Sequence, residues 1–246
     1  MERQSTWGAE PSTKFGRRAW IAGMLAACAG RSISRGADEP ANKPDVKDEE
    51  ERAIKDVRDA ASAAGLSPFK ISRSPNFLAI GDASESFRAL TLRDCEMIAT
   101  DYHDYYEGLG FKIHRPEQRL IAVTLADDRS FIAIVFPGSR PSPKKPGPAP
   151  PVHGLYNRET NRLIVYDHRA LGPQFGPRPG YQNLRTVAHE VTHQLTCNTG
   201  LLKRRGDVPL CIVEGLAMYG EVRKTTGRTP PGENNNLRLG DLASQQ

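Results

Sequence analysis

A carboxylate embedded in an apolar run constrains this chain more than any other feature. Glu214 lies in LCIVEGLAMYGE at 210–221, beside Ile212, Val213, Leu216 and Ala217. Burying a charge in such company is costly unless it has a partner. One is on offer upstream, in TVAHEVTHQL at 186–195. His189 and His193 are four apart, so on a helix their imidazoles project from one face at neighbouring turns. There they can take two corners of a tetrahedral metal site. Glu190 lies one residue on, about 100° around the helix, where it can reach a water at the metal without ligating the metal. Twenty residues separate His193 from Glu214. A fold that satisfies Glu214 must therefore bring two helices together. The first is expected over Tyr181–Asn198, with Gly200 just past its end. The second has Pro209 in its first turn and runs to about Thr226. Leu184, Val187, Ala188, Val191 and Leu195 give the first helix an apolar face turned away from the histidines.

The remaining pattern is mixed. FKISR and NFLAIGD read as strands around a turn at Ser74-Pro75-Asn76. Ser84 to Gly108 reads as a helix, with Phe87, Leu90, Met97, Ile98, Tyr102 and Tyr105 at helical spacing. RLIAVTLA, 119–126, is a strand. DRSFIAIVF is either a short helix capped by Asp127 or the second strand of a hairpin. The Pro-rich stretch 137–151 cannot form ladders or helix, because proline fixes φ and lacks the donor, and is expected to be a surface loop. HGLYNRETNRLIVYDH reads as a hairpin turning near Glu159-Thr160-Asn161. The expected fold is α+β, a small mixed sheet packed on helices with the metal between the last two. Residues 67–226 form that domain. Residues 30–66 are a linker plus a surface helix or stalk over 47–64, whose apolar side (Ile54, Val57, Ala60, Ala61, Ala64) is thin. The polar tail 227–246 reads as disordered.

The first 29 residues read as an export signal. Arg17 and Arg18 precede the short apolar run AWIAGMLAA, and small residues follow. RRAWI resembles a twin-arginine signal, with Gly16 where Ser or Thr is usual. LAAC at 25–28 resembles a lipobox, which would make Cys28 the lipidated first residue of a membrane-anchored mature protein. Simple cleavage before Gly30 is the competing expectation, giving a periplasmic or secreted product. The net charge of +5 over 246 residues is mild. With no basic stripe interleaved with aromatics, nucleic acid is not an expected partner.

HEVTHQL followed by EGLAMYGE resembles the gluzincin class of zinc metallopeptidases. The membrane-alanyl-aminopeptidase type shares an HExxHQ helix and an EGxAxY helix, and Asn198 fits its pattern too. A closer resemblance is to a bacterial family of predicted exported peptidases, domain of unknown function 1570. The resemblance covers Pro68 to Thr226, with its strong motifs in 186–221. It implies one zinc ion held by His189, His193 and Glu214, with Glu190 as the catalytic base of a hydrolase acting on a peptide or protein. The alternative is a surface-anchored binding module with a structural or vestigial metal site. Thr196 and Thr199 stand where a metzincin needs glycine and histidine. Met218 stands where thermolysin-like enzymes place an orienting Asp. The N-terminus-reading GxMEN segment of the aminopeptidases is absent, and no tyrosine follows Tyr219. Candidate transition-state stabilisers are therefore Tyr219 and Tyr156, then Tyr181, His153 and His168. If the two helices converge on one metal, Cys197 and Cys211 lie close, and in an oxidising compartment a Cys197–Cys211 disulfide is expected; two free thiols are the alternative.

Overall fold

Two strands without an exposed residue form the centre of the fold. They are β2 (Phe77–Gly81), FLAIG, and β3 (Leu120–Leu125), LIAVTL. Their continuous apolar character is what a strand covered on both faces requires. The structure is a computed structural model that describes residues 46–137, 152–172, 178–224 and 227–243. The expected export signal with Cys28, and residues 138–151 of the Pro-rich loop, lie outside the described residues. No helix among the described residues is long and apolar enough to cross a membrane.

With β1 (Lys70–Arg73), β4 (Gly154–Asn157) and β5 (Arg162–Tyr166), the strands form one five-stranded sheet in the order β1-β2-β3-β5-β4. The central pairs β2–β3 and β3–β5 are parallel; the outer pairs β1–β2 and β4–β5 are antiparallel. This is the expected small mixed sheet of an α+β fold. The parallel steps need crossovers, supplied by α2 (Glu85–Gly108) between β2 and β3 and by α3 (Asp128–Val135) on the way to β4 and β5. Ser84 caps α2 by accepting from the Phe87 N–H, and Asp127 caps α3 by accepting from the Ser130 N–H. The Asp127 cap settles DRSFIAIVF as helix rather than strand. The β4–β5 turn places Asn161 at φ 57, a left-handed conformation that asparagine tolerates well.

Each face of the sheet carries its own core. On one, Phe77, Ala79, Ala122, Leu163 and Val165 pack under α2 and α4 (Pro179–Asn198). On the other, Leu78, Ile80, Val123, Leu125 and Ile164 pack with Phe131 of α3 and with Ile54, Val57 and Ala61 of α1 (Val46–Ala63). The helix expected as a surface helix or stalk within residues 30–66 is thus packed on the sheet as a layer of the fold. Its thin apolar stripe is enough because it meets an apolar sheet face.

The other end of the domain also differs from expectation. The helix that carries Glu214, α5 (Leu210–Gly220), stops at Gly220 rather than near Thr226. Arg223 and the fully buried Thr229 turn back onto Asp101 of α2, with Arg223 donating to its carboxylate and the Thr229 N–H donating at 3.1 Å. Those bonds draw the chain out of the helical path. The expected disordered tail is instead folded back, with the Gly232 N–H on the Tyr219 carbonyl and a further helix, α6 (Asn236–Ala243).

Candidate metal centre

α4 crosses the sheet under β4 and β5, and α5 packs against α4. Two glycines make these approaches possible. A Cβ on Gly154 would meet the Thr186 methyl at 2.5 Å and the Glu190 Cγ at 3.1 Å, so the edge strand lies directly on the helix. A Cβ on Gly220 would collide with the Thr192 side chain, so α5 meets α4 backbone to side chain. The buried Gln194 fixes α4 lengthwise, its amide donating to the Ile121 and Asn161 carbonyls. Asn198 exchanges amide bonds with Asn161 at the β4–β5 turn. These two amides thus register the helix against the sheet.

That scaffold brings His189, His193 and Glu214 together, one ligand atom from each within 4.8 Å of the others. His189 Nε2 is 3.3 Å from Glu214 Oε2, and His193 Nε2 is 3.6 Å from Glu214 Oε1. Tetrahedral zinc with bonds of about 2.0–2.1 Å needs donors roughly 3.3–3.4 Å apart. The two His–Glu separations therefore stand close to what such an ion requires, and the imidazole and carboxylate chemistry suits a divalent metal. His189, His193 and Glu214 can hold a metal ion, as expected.

The electrostatics favour positive charge among these carboxylates. Burial alone would lower the His189 pKa, but bonds to Glu214 and Glu221 and the charge of Glu190 outweigh it and raise it to about 10. Glu214 is held far below the usual carboxylate range, burial being outweighed by His189 and His193. Without metal, a proton on His189 supplies the positive charge between the carboxylates.

Glu190 follows His189 on the same helix and accepts from the Tyr156 backbone N–H at 2.7 Å. β4 ends the sheet, and this N–H faces away from β5, toward the site. Tyr156 also lays its ring near-parallel to His193, with centroids 6.4 Å apart and 18° between planes. Its hydroxyl, however, donates to Asn161 Oδ1 at 2.8 Å and belongs to the turn. Tyr219 is not brought to the ligands either; it points to α2, where its hydroxyl is 2.5 Å from that of Tyr105. In this structure both hydroxyls are thus paired with groups other than the three candidate ligands. His168 is buried against His153, its ring N–H on the His153 carbonyl, and burial and His153 lower its pKa to about 4. The expected Cys197–Cys211 bridge is absent: both are free thiols. Cys197 is half-buried beside Tyr156 and Arg158, whereas Cys211 is exposed on the first turn of α5. Convergence of the helices at the ligands does not bring these two side chains face to face.

One residue of the site went unassigned in the sequence. Glu221, buried just past α5, accepts from His189 Nδ1 at 3.3 Å, from Arg185 of α4, and from Arg238 of α6 at 3.1 Å. A carboxylate on the far nitrogen of a ligating histidine fixes the tautomer and aims the other nitrogen at the metal. This is the role left vacant by Met218. The signal was present: seven residues after Glu214 is two helical turns, the same face.

A family model described as Protein of unknown function (DUF1570) matches residues 183–242. No curated protein and no solved structure matches the chain. The matched stretch begins in α4 and ends in α6, so it contains the three candidate ligands, Glu190, Glu221 and the returning tail. Over the segment that builds the candidate metal centre, the chain is similar to a family whose function its description leaves open.

Proposed function

We propose that this chain is an exported zinc-dependent hydrolase, a gluzincin-type peptidase. The observation that carries the proposal is the convergence of His189, His193 and Glu214 beside Glu190, at the open edge of a sheet. His189, His193 and Glu214 hold the metal, which when bound supplies a Lewis acid that acidifies water and polarises an amide carbonyl. Glu190, anchored by the Tyr156 N–H, takes the proton from the attacking water and delivers it to the leaving amine. Glu221 keeps the His189 Nδ1–H in place. An extended peptide adds along the free edge of β4, where it competes with Glu190 for the Tyr156 N–H. Export rests on the Arg17-Arg18 pair and the apolar run that follows.

The test is purified protein with measured metal content, assayed on a mixed peptide library by mass spectrometry. The expected result is about one zinc per chain and cleavage that falls by at least about a hundredfold in Glu190→Gln with the zinc retained. Zinc with no turnover, the same in wild type and Glu190→Gln, would instead mark a binding module with a structural ion. Wild type that takes up no metal would overturn the reading altogether.

A further inference from the structure

We infer that the segment beyond the two metal-bearing helices, residues 227–243, is a working part of the metal centre, with Arg238 as a positioning residue that acts on His189 through Glu221. This rests on the metal site proposed above.

The geometry divides the Glu221 carboxylate between its donors. Arg185 of α4 takes Oε1, while His189 Nδ1 and Arg238 Nη2 share Oε2, at 3.3 and 3.1 Å. Two guanidiniums on the two oxygens stop the carboxylate rotating, and the remaining direction at Oε2 is the one His189 uses. Arg238 also offsets charge. Glu214, Glu190 and Glu221 set three carboxylates around His189, and Glu221 is only 2% exposed. A buried carboxylate that loses a charged donor is left under-compensated. It can then swing away, which removes the acceptor from His189 Nδ1.

The tail is built to deliver Arg238 to that spot. Arg228 donates to Asp101 at 2.5 Å and to Asp104 at 2.6 Å, both on α2. Thr229, with no exposed surface, gives its N–H to Asp101 and its carbonyl to Arg223. The Gly232 N–H bonds the Tyr219 carbonyl at the end of α5. Asn235 then accepts from the Arg238 N–H at 3.3 Å, which caps the start of α6. The Asp101 anchor lies on α2, which shares a core with α4, and the Tyr219 anchor lies on α5, so the tail and the candidate ligands are held in one register.

The experiment measures zinc affinity of the full chain by chelator competition, and the visible absorption of the cobalt-loaded protein, for wild type, Arg238→Met, Arg238→Lys, Glu221→Gln and the double variant Arg238→Met/Glu221→Gln. Arg238→Met keeps the aliphatic stem and removes the charge. It is expected to weaken zinc binding about tenfold and to shift the cobalt bands, while Arg238→Lys restores much of both. In the Glu221→Gln background the Arg238→Met change is expected to add nothing. Unchanged affinity and spectrum in Arg238→Met, or an equal loss in both backgrounds, overturns the inference while leaving the metal centre intact. Wild type without zinc affinity overturns the centre itself and the inference with it. If Arg238→Met does not fold, cobalt spectra of Arg238→Lys and Arg238→Gln decide: the inference requires them to differ.

Discussion

The two faces of the sheet are built differently. The face under α1 and α3 is mainly apolar and aromatic, with Ile54, Val57, Leu78, Ile80, Leu125, Phe131 and Tyr166 in one cluster. The face under α2 and α4 has a similar apolar floor, but above it lies a second, polar layer that is equally buried. Thr192, His193, Gln194, Thr196, Asp101, Glu221 and Arg223 are all under 9% exposed. An apolar face needs only volume and the right period, so a short helix with a thin stripe can cover it. A buried polar layer needs a named partner for each group, because an unmet donor or acceptor there costs about 1–3 kcal/mol. Metal chemistry can only be housed on the second kind of face, and it is where the chain departs from simple patterning.

That contrast can be broken by experiment. The largest effect is expected from Phe131→Ala on the apolar face, which should destabilise the fold by about 3–5 kcal/mol. Zinc affinity of the molecules that remain folded should not move. Denaturant unfolding followed by chelator competition measures both, and a loss of affinity in step with stability would show that the faces are not separable. A smaller effect, confined to the polar layer, is expected from pH. In metal-free protein the His189 pKa is raised from 6.5 to about 10. Its stabilisation is therefore fully present below about pH 6.5 and is lost as pH rises through about 10. Glu221 is lowered from 4.5 to about 2, burial being outweighed by His189, Arg185 and Arg238, so its contribution is present above pH 4.5 and lost as pH falls through about 2. Zinc takes the place of the His189 proton, so the zinc-loaded protein should lose the alkaline slope. Thermal unfolding of chelated and zinc-loaded protein from pH 6 to about 10 tests this; equal slopes would contradict it. The smallest effect is expected at the cysteines. With no bridge to lose, Cys197→Ser and Cys211→Ser should each shift stability by no more than about 0.5–1 kcal/mol, and mass spectrometry without reduction should find both thiols free.

The elements themselves were legible because each is written in local periodicity. β2 and β3 read as apolar runs, α2 as a capped helix, and α4 as an amphipathic helix with two histidines on one side. The candidate ligands were legible for a related reason. The four-residue spacing of His189 and His193 is a statement about one helix, and Glu214 stands out because its neighbours are apolar. What was not legible depends on how elements meet. Ile54, Val57 and Ala61 look sparse until a sheet lies beneath them. Cys197 and Cys211 look like partners until the side-chain directions on α4 and α5 are known. Gln194 and Asn198 are ordinary polar residues until the Asn161 turn arrives above them.

The sequence by itself thus determined that two helices must meet around Glu214, because a carboxylate in an apolar run and a pair of histidines on one helical face each lack a partner alone. Only the tertiary structure decided how the centre is held. Glu221 lies on the ligand face one step beyond α5, and its partners Arg185 and Arg238 come from either side of it along the chain. Hydrogen bonds of that kind follow from where the chain turns back, at Asp101, Arg223 and Thr229. No period in the sequence records a reversal made by two side chains and the Thr229 backbone meeting on one helix.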